Sequence, residues 1–305
     1  MLNLSKVLQK GSQGEEVELL QEILKVDQTG TFNDNLDLVV RTFQSKSNLI
    51  ADGIVGSKTW NALLKTINLR DLTRIKSASL VPEKMMTGTS SQVTSWNTYG
   101  GTLTAVSQIL GIEPACALAI LLVESGGKGF GPSGMPLIRF ENHIFWKVWG
   151  SKNSAKFNEC YKFGENGKNW EGHYFRESSA GQWFKMHVDT TASTQALEWE
   201  ALNMSCKLAG SSGYLCASFG LGQILGSNST QCGYSNVELF VKEMFDVKLQ
   251  LLAMFEFIKR NDVTLNALRT KDFVTFASVY NGPGQPTVYG QKIKERYEQA
   301  KTIGL

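Results

Sequence analysis

Apolar residues recur at helical spacing along most of the chain. Val17, Leu20, Ile23 and Leu24 mark one face of a first helix. Leu36, Val39, Val40 and Phe43 mark a second, and each run is introduced by a Gly-rich or Asn/Asp turn. A short third helix fits 57–64, with Ser57 as its N-cap. The run 115–125, ACALAILLVES, is apolar on every face until its end, which places it inside a domain. Pro114 has the place of its first residue and Gly126 the place of the residue past its end. Val237, Phe240, Val241, Met244, Leu251, Phe255 and Ile258 hold the spacing of one long amphipathic helix, and a last helix is expected over 288–300. Only 136–140, PLIRF, reads as β-like. The predicted fold class is mainly α, with a small three-helix domain, a larger helical domain and a minor β element.

Regularity fades after Ile75, and the stretch 66–86 contains Pro82, so it reads as a connector. The expected domains are 1–68 and 87–305, with a linker at 69–86. The aromatic-rich insert 145–199 reads chiefly as core or lid packing, with some Trp rings able to stack on sugar faces.

Composition narrows the function classes. With 305 residues, 42% hydrophobic and 19% charged, the chain is an ordinary globular protein of two-domain size. A formal net charge of +3 is too small to argue for nucleic acid and is compatible with an anionic wall polymer. No run approaches about 18 apolar residues, so stable membrane insertion is not expected. The start, MLNLSKVLQKGSQGEE, lacks a signal-peptide core, so synthesis in the cytosol is expected. Five cysteines without a CxxC pair read as buried free thiols. The only histidines, His143, His173 and His187, belong to no HExxH motif, so neither a metal nor a cofactor is expected.

In the first seventy residues, Gly11, Gly14, Val17, Leu20 and Gln21 are followed by Phe43 and Gln44, then by Asp52, Gly53, Val55, Gly56, Thr59 and Trp60. This pattern resembles the peptidoglycan-binding domain of wall-degrading enzymes, G-x-x-G-x-x-V-x-x-L-Q, then FQ, then D-G-x-V-G-x-x-T-W. The first D-G-x-F-G turn of the family's imperfect repeat is present only as TGTFND, 29–34. The candidate wall-binding residues are Arg41, Asp52, Gly53 and Trp60. Gly53, Gly56 and Trp60 equally suit closing a small core, which leaves the polar surface around Asp52 and Arg41 for contact.

Glu124 ends the apolar run 115–125. Apolar surroundings and the negative end of the helix dipole both disfavour its ionised form, so a raised pKa is expected, as a general acid for a glycosidic bond requires. A glutamate that simply turns to solvent is the alternative. Two further stretches bear on the choice, ASFGLGQILG at 217–226 and FASVYNGPG at 276–284. Together with ESGG they resemble the three ordered motifs of the goose-type lysozyme and lytic transglycosylase superfamily. That resemblance implies Glu124 as catalytic acid, with Ser218, Gly220, Leu221 and Gln223 along one wall of the saccharide groove and Tyr280 and Asn281 near the acid. Without it, FASVY reads as a core helix and GLG as a turn.

A second carboxylate, Glu141, follows Phe140 at the start of NHIFWKVW, with Asn142 as a possible cap. The segment from ESGGKGF through FENH resembles the N-acetylmuramidase family of bacteriophage endolysins. The resemblance implies a muramidase hydrolysing the β-1,4 bond between N-acetylmuramic acid and N-acetylglucosamine, with Glu124 as acid and Glu141 as base or charge stabiliser. A lytic transglycosylase needs only one acid, and an inactive wall-binding protein needs none. The implied partner is peptidoglycan. The implied setting is a monomer made in the host cytoplasm and released to the wall, in the periplasm, with help from a holin-type protein.

Overall fold

The computed structural model describes residues 6–74 and 84–305. It divides into two compact units, Met1–Val123 with Asn261–Leu305, and Glu124–Arg260.

The first unit begins with α1 (Glu15–Leu24), α2 (Asp34–Lys46) and α3 (Ser57–Thr66). Val17, Leu20, Leu36, Val40, Trp60 and Leu63 form their buried faces, as the spacing predicts. Asn33 caps α2 by accepting from Leu36 N. Ser57 is not a cap: it is the first residue of α3, and Gly56 holds the cap position without a side-chain bond. Two buried glutamines close the turns of the internal repeat. Gln44 accepts from Gly53 N at 3.0 Å and donates to Asp52, to the carbonyl of Ile54 and to Thr59. Gln21 does the same one repeat earlier, accepting from Gly30 N and donating to Thr29 and to the carbonyl of Thr31. The weaker TGTFND turn is therefore built like the stronger one. Of the expected linker, Leu69–Arg74 forms a 3₁₀ turn with Leu69 and Leu72 buried, and 75–83 lie outside the described residues.

The same unit holds α4 (Ser91–Leu110) and most of α5 (Pro114–Ser125). No single helix among the described residues is long and apolar enough to cross a membrane. Cys116 in α5 is a free buried thiol whose pKa burial pushes up to about 11.

The second unit contains β1 (Ile138–Phe140), α6 (Asn142–Val148), α7 (Ser154–Cys160), β2 (Tyr161–Lys162), β3 (Tyr174–Phe175), β4 (Phe184–Lys185), α8 (Ala192–Ala209), β5 (Ala217–Phe219), β6 (Ile224–Leu225), α9 (Val237–Glu243) and α10 (Val247–Lys259). Its strands form two small antiparallel sheets, β1-β5-β6 and β2-β3-β4, with Arg139 opposite Ser218 in the first. From the aromatic insert, Phe145, Phe157, Tyr161 and Phe175 form one buried cluster, whereas Trp170 is exposed.

Two expectations are corrected here. The long helix over 237–258 is two helices, because Asp246 accepts from Lys248 N and Leu249 N and so starts α10 afresh. Asn142 does not cap α6; Glu141 holds that place, and the buried amide of Asn142 donates to the carbonyls of Lys162 and Tyr174.

The first unit is completed by α11 (Asp262–Thr270), α12 (Phe273–Tyr280) and α13 (Pro286–Thr302). Pro286 starts the last helix earlier than the apolar spacing predicts.

Candidate active site

Helix α5 delivers Glu124. Residues 115–121 are fully buried, and the helix stops because Gly126 and Gly127 take φ of 60° and 79°, the left-handed region glycine adopts without strain. Glu124 and Ser125 follow the last buried turn and are half-buried. They line a cavity of about 410 Å³ within the second unit. Besides Glu124, the ionisable groups on its wall are Lys128, Arg139, His187, Asp189 and Glu198.

Short chain segments form the rest of the wall. Gly220 and Gln223 line the cavity at the turn between β5 and β6. Gln223 adopts φ of 45° and donates through Nε2 to the carbonyl of Gly220 at 3.0 Å. Leu221 is fully buried, so its side chain is packing and its backbone is the working part: its N–H donates to Gln250 Oε1 at 2.8 Å. The Gln250 amide also donates to the carbonyls of Met244 and Gly129. A Cβ at Gly129 or Gly220 would collide with that amide, which explains both glycines.

Strand β1 lies at the edge of its sheet, and its outer side is closed by side chains of α8. Gln195 accepts from Ile138 N at 3.0 Å and donates back to Ile138 O at 3.1 Å. Glu198, one turn on, accepts from Phe140 N at 2.7 Å and from His187 N at 3.1 Å. His187 Nε2 lies 2.8 Å from Phe140 O, so that nitrogen carries the proton and donates. The sequence reading missed Gln195 and Glu198. Their only signal is a pair of polar residues three apart on a helix, which ordinarily marks a solvated face.

Burial pushes the Glu198 carboxyl up to about 8, outweighing its two backbone donors. Burial likewise lowers His187, to about 4. The contact between them, 3.7 Å, therefore joins two neutral groups at neutral pH.

Glu141, whose distance from Glu124 the sequence leaves open, lies behind the cavity wall. It is not among the cavity-lining residues, but Arg139, which is, holds Glu141 Oε1 at 3.3 Å. Its Oε2 lies 3.4 Å from His143 Nδ1 and 3.6 Å from His173 Nδ1. Burial opposes its ionisation, yet His143, together with Arg139, outweighs burial and holds the carboxyl below its usual range. Glu141 is an ionised carboxylate at neutral pH, one contact behind the wall.

The remaining candidates separate by role. Ser218 sits on β5 opposite Arg139. Tyr280 ends α12, stacked on Phe276 at 5.2 Å, and Asn281 caps that helix, both in the first unit. In the three-helix segment, Asp52 lines a groove of about 380 Å³ with Asn48, Ile50, Ile54 and Lys58. Backbone and Gln44 donors lower its pKa. Arg41 is exposed, bonding Asp37 and the carbonyl of Ala51. Gly53 needs its φ of 74°, and Trp60 is buried with its indole N–H donating to the carbonyl of Lys6.

Both parts of the chain resemble known proteins. Residues 13–63 match the family described as a peptidoglycan binding domain. No curated protein sequence matches the chain. Among solved structures, the crystal structure of Burkholderia AP3 phage endolysin is similar in fold, with a TM-score of 0.53 and 24% identity over 98% of this chain and 100% of that one. Residues 113–301 match the family described as Muramidase, N-acetylmuramidase, and cover more than half of the chain. The chain belongs to the N-acetylmuramidase family of lysozyme-like glycosidases.

Proposed function

We propose that this muramidase is a modular endolysin that degrades the host wall by hydrolysing the β-1,4 bond between N-acetylmuramic acid and N-acetylglucosamine. In this reading 1–68 bind peptidoglycan and 87–305 carry out the cleavage. Glu124 protonates the leaving glycosidic oxygen, and the charge that develops on the sugar ring is met by a carboxylate or by an activated water. Glu141 serves as that base or charge stabiliser, after movement of its side chain from Arg139 to the cavity. Backbone and amide groups at Gly220 to Gln223 hold N-acetyl and hydroxyl groups. The wall-binding segment raises the local enzyme concentration on an insoluble polymer. The protein works as a monomer, is made in the host cytoplasm and reaches the wall with a holin-type partner.

The observation that carries this reading is the half-buried carboxylate of Glu124, delivered by a fully buried helix into a polar cavity. Its test is Glu124→Gln on purified peptidoglycan with product masses recorded. Turnover should fall by about 10²–10⁴, the range for loss of a general acid, with wall sedimentation retained. Reducing N-acetylmuramic acid ends identify hydrolysis. A 1,6-anhydro end would identify a transglycosylase, and undiminished turnover would remove Glu124 from the reaction.

A further inference from the structure

The chain's three histidines, far apart in sequence, meet at Glu141. His143 sits on α6, His173 precedes β3 and His187 follows β4. His143 and His173 have ring centroids 5.3 Å apart, and His173 and His187 4.5 Å. The two oxygens of Glu141 are divided between neighbours. Oε1 faces Arg139, and Oε2 faces both Nδ1 atoms, 3.4 Å from His143 and 3.6 Å from His173. All three atoms lie within 4.8 Å of one another. A tetrahedral zinc ion with ligands at about 2.0–2.1 Å separates them by about 3.3 Å, close to two of these spacings.

Two further observations point to a ligand. His143 Nδ1 is buried and faces Glu141 Oε2 at 3.4 Å without good hydrogen-bond geometry. His173 donates from Nε2 to the carbonyl of Asn169 at 3.2 Å, which leaves its Nδ1 unprotonated, 3.6 Å from Glu141 Oε2. The Nδ1 lone pair accepts a long bond, 3.3 Å, from Asn142 N, which an ion would displace.

We propose that Glu141 Oε2, His143 Nδ1 and His173 Nδ1 form a site for one divalent transition-metal ion, best suited to Zn²⁺, with a fourth position for water. Two imidazoles and one carboxylate suit zinc and disfavour magnesium or calcium, which take oxygen ligands. The ion acts as a brake, because it occupies the carboxylate that the reaction uses. The brake rests on the role proposed for Glu141, whereas the site does not.

The test uses the untagged full-length chain after chelator treatment, titrated with Zn²⁺ by calorimetry and with Co²⁺ by visible absorption. One ion per chain is expected, with the d–d bands of four-coordinate Co²⁺ and no heat from Mg²⁺ at the same concentration. His143→Ala, at the margin of the fold, and Glu141→Gln should each weaken binding by about tenfold or more, with circular dichroism unchanged. Absence of saturable binding by the folded wild type would overturn the site, as would undiminished, wild-type affinity in both variants. Lysis assayed with one equivalent of Zn²⁺ should fall. Binding with undiminished lysis would keep the site and overturn the brake, together with the role of Glu141.

Discussion

Glu198 offers a quantitative test of how the cavity wall is held. An exposed glutamate titrates near 4.3, and in the folded chain burial pushes Glu198 up to about 8. Between these values the native carboxyl keeps a proton that the unfolded chain has released. The unfolded state then binds fewer protons, so stability falls as pH rises, by about 1.4 kcal/mol per pH unit. The contribution is complete below about pH 4 and lost above about pH 8. Across pH 5 to 8 it amounts to about 4 kcal/mol, an upper figure for a carboxyl that also accepts two backbone bonds. Glu198→Gln keeps the shape and removes the titration, but it turns an amide N–H₂ toward one backbone donor, at a cost of about 1–3 kcal/mol. The variant should therefore be less stable than wild type at pH 5, and the deficit should shrink and reverse by pH 8. Urea denaturation of both proteins at each pH reads this out, and taking the difference cancels every other titrating group. Curves that stay parallel to within about 1 kcal/mol would refute the burial argument and mean that Glu198 is ionised in the native wall.

Other expectations follow from the same contacts. Gln44→Ala strips a buried turn of an amide that accepts from Gly53 N and shares its two N–H donors among Asp52, Ile54 and Thr59, and should lower stability by about 2–4 kcal/mol, read as a fall in thermal midpoint; Gln21→Ala should act in the same direction. Asp246→Ala removes the N-cap that separates α9 from α10 and should cost about 0.5–2 kcal/mol in a chemical melt. Ile50, 81% exposed on the rim of the Asp52 groove, should tolerate Ile50→Asp within about 0.5 kcal/mol while sedimentation with peptidoglycan weakens. Unchanged sedimentation would move the wall contact away from that groove.

The helices were legible because burial follows the 3.6-residue period, and α1 and α2 lie where the spacing puts them, as α5 does from its apolar run. The break before Asp246 was not, since Val241, Met244 and Leu251 keep the period across it and all three are buried. Periodicity reports which face is apolar and is blind to a cap in mid-run. Ser57 and Asn142 fail for a related reason. A residue type favoured at caps also has other uses, and Asn142, fully buried, spends its amide on two carbonyls from other segments. The place of Glu124 at the end of a buried helix was legible because the run before it is apolar on every face. The gathering of His143, His173 and His187 around Glu141 was not, because it is made by two short strands and the turns between them.

The least legible residues share one physical task. The second unit's strands are two or three residues long, too short to satisfy one another's backbone groups, and a buried N–H or C=O without a partner costs about 1–3 kcal/mol. Gln195 and Glu198 take the outer edge of β1, Gln250 joins the turn at Leu221 to Gly129 and Met244, and Asn142 joins β2 to β3. Each is a polar side chain buried to within a few percent, where a hydropathy pattern would place it in water. A glutamine offers two donors and an acceptor in one plane, so a single side chain substitutes for a missing strand neighbour. A cavity wall made of loops can then be held as firmly as one made of sheet, with the Gly220 N–H bonded to Leu137 O and its carbonyl to Gln223. The same economy explains why the motif glutamines at positions 21 and 44 sit inside the wall-binding segment instead of on its surface. Their conformational work, closing a tight turn from beneath, demands an amide and rejects both the shorter asparagine and the charged glutamate.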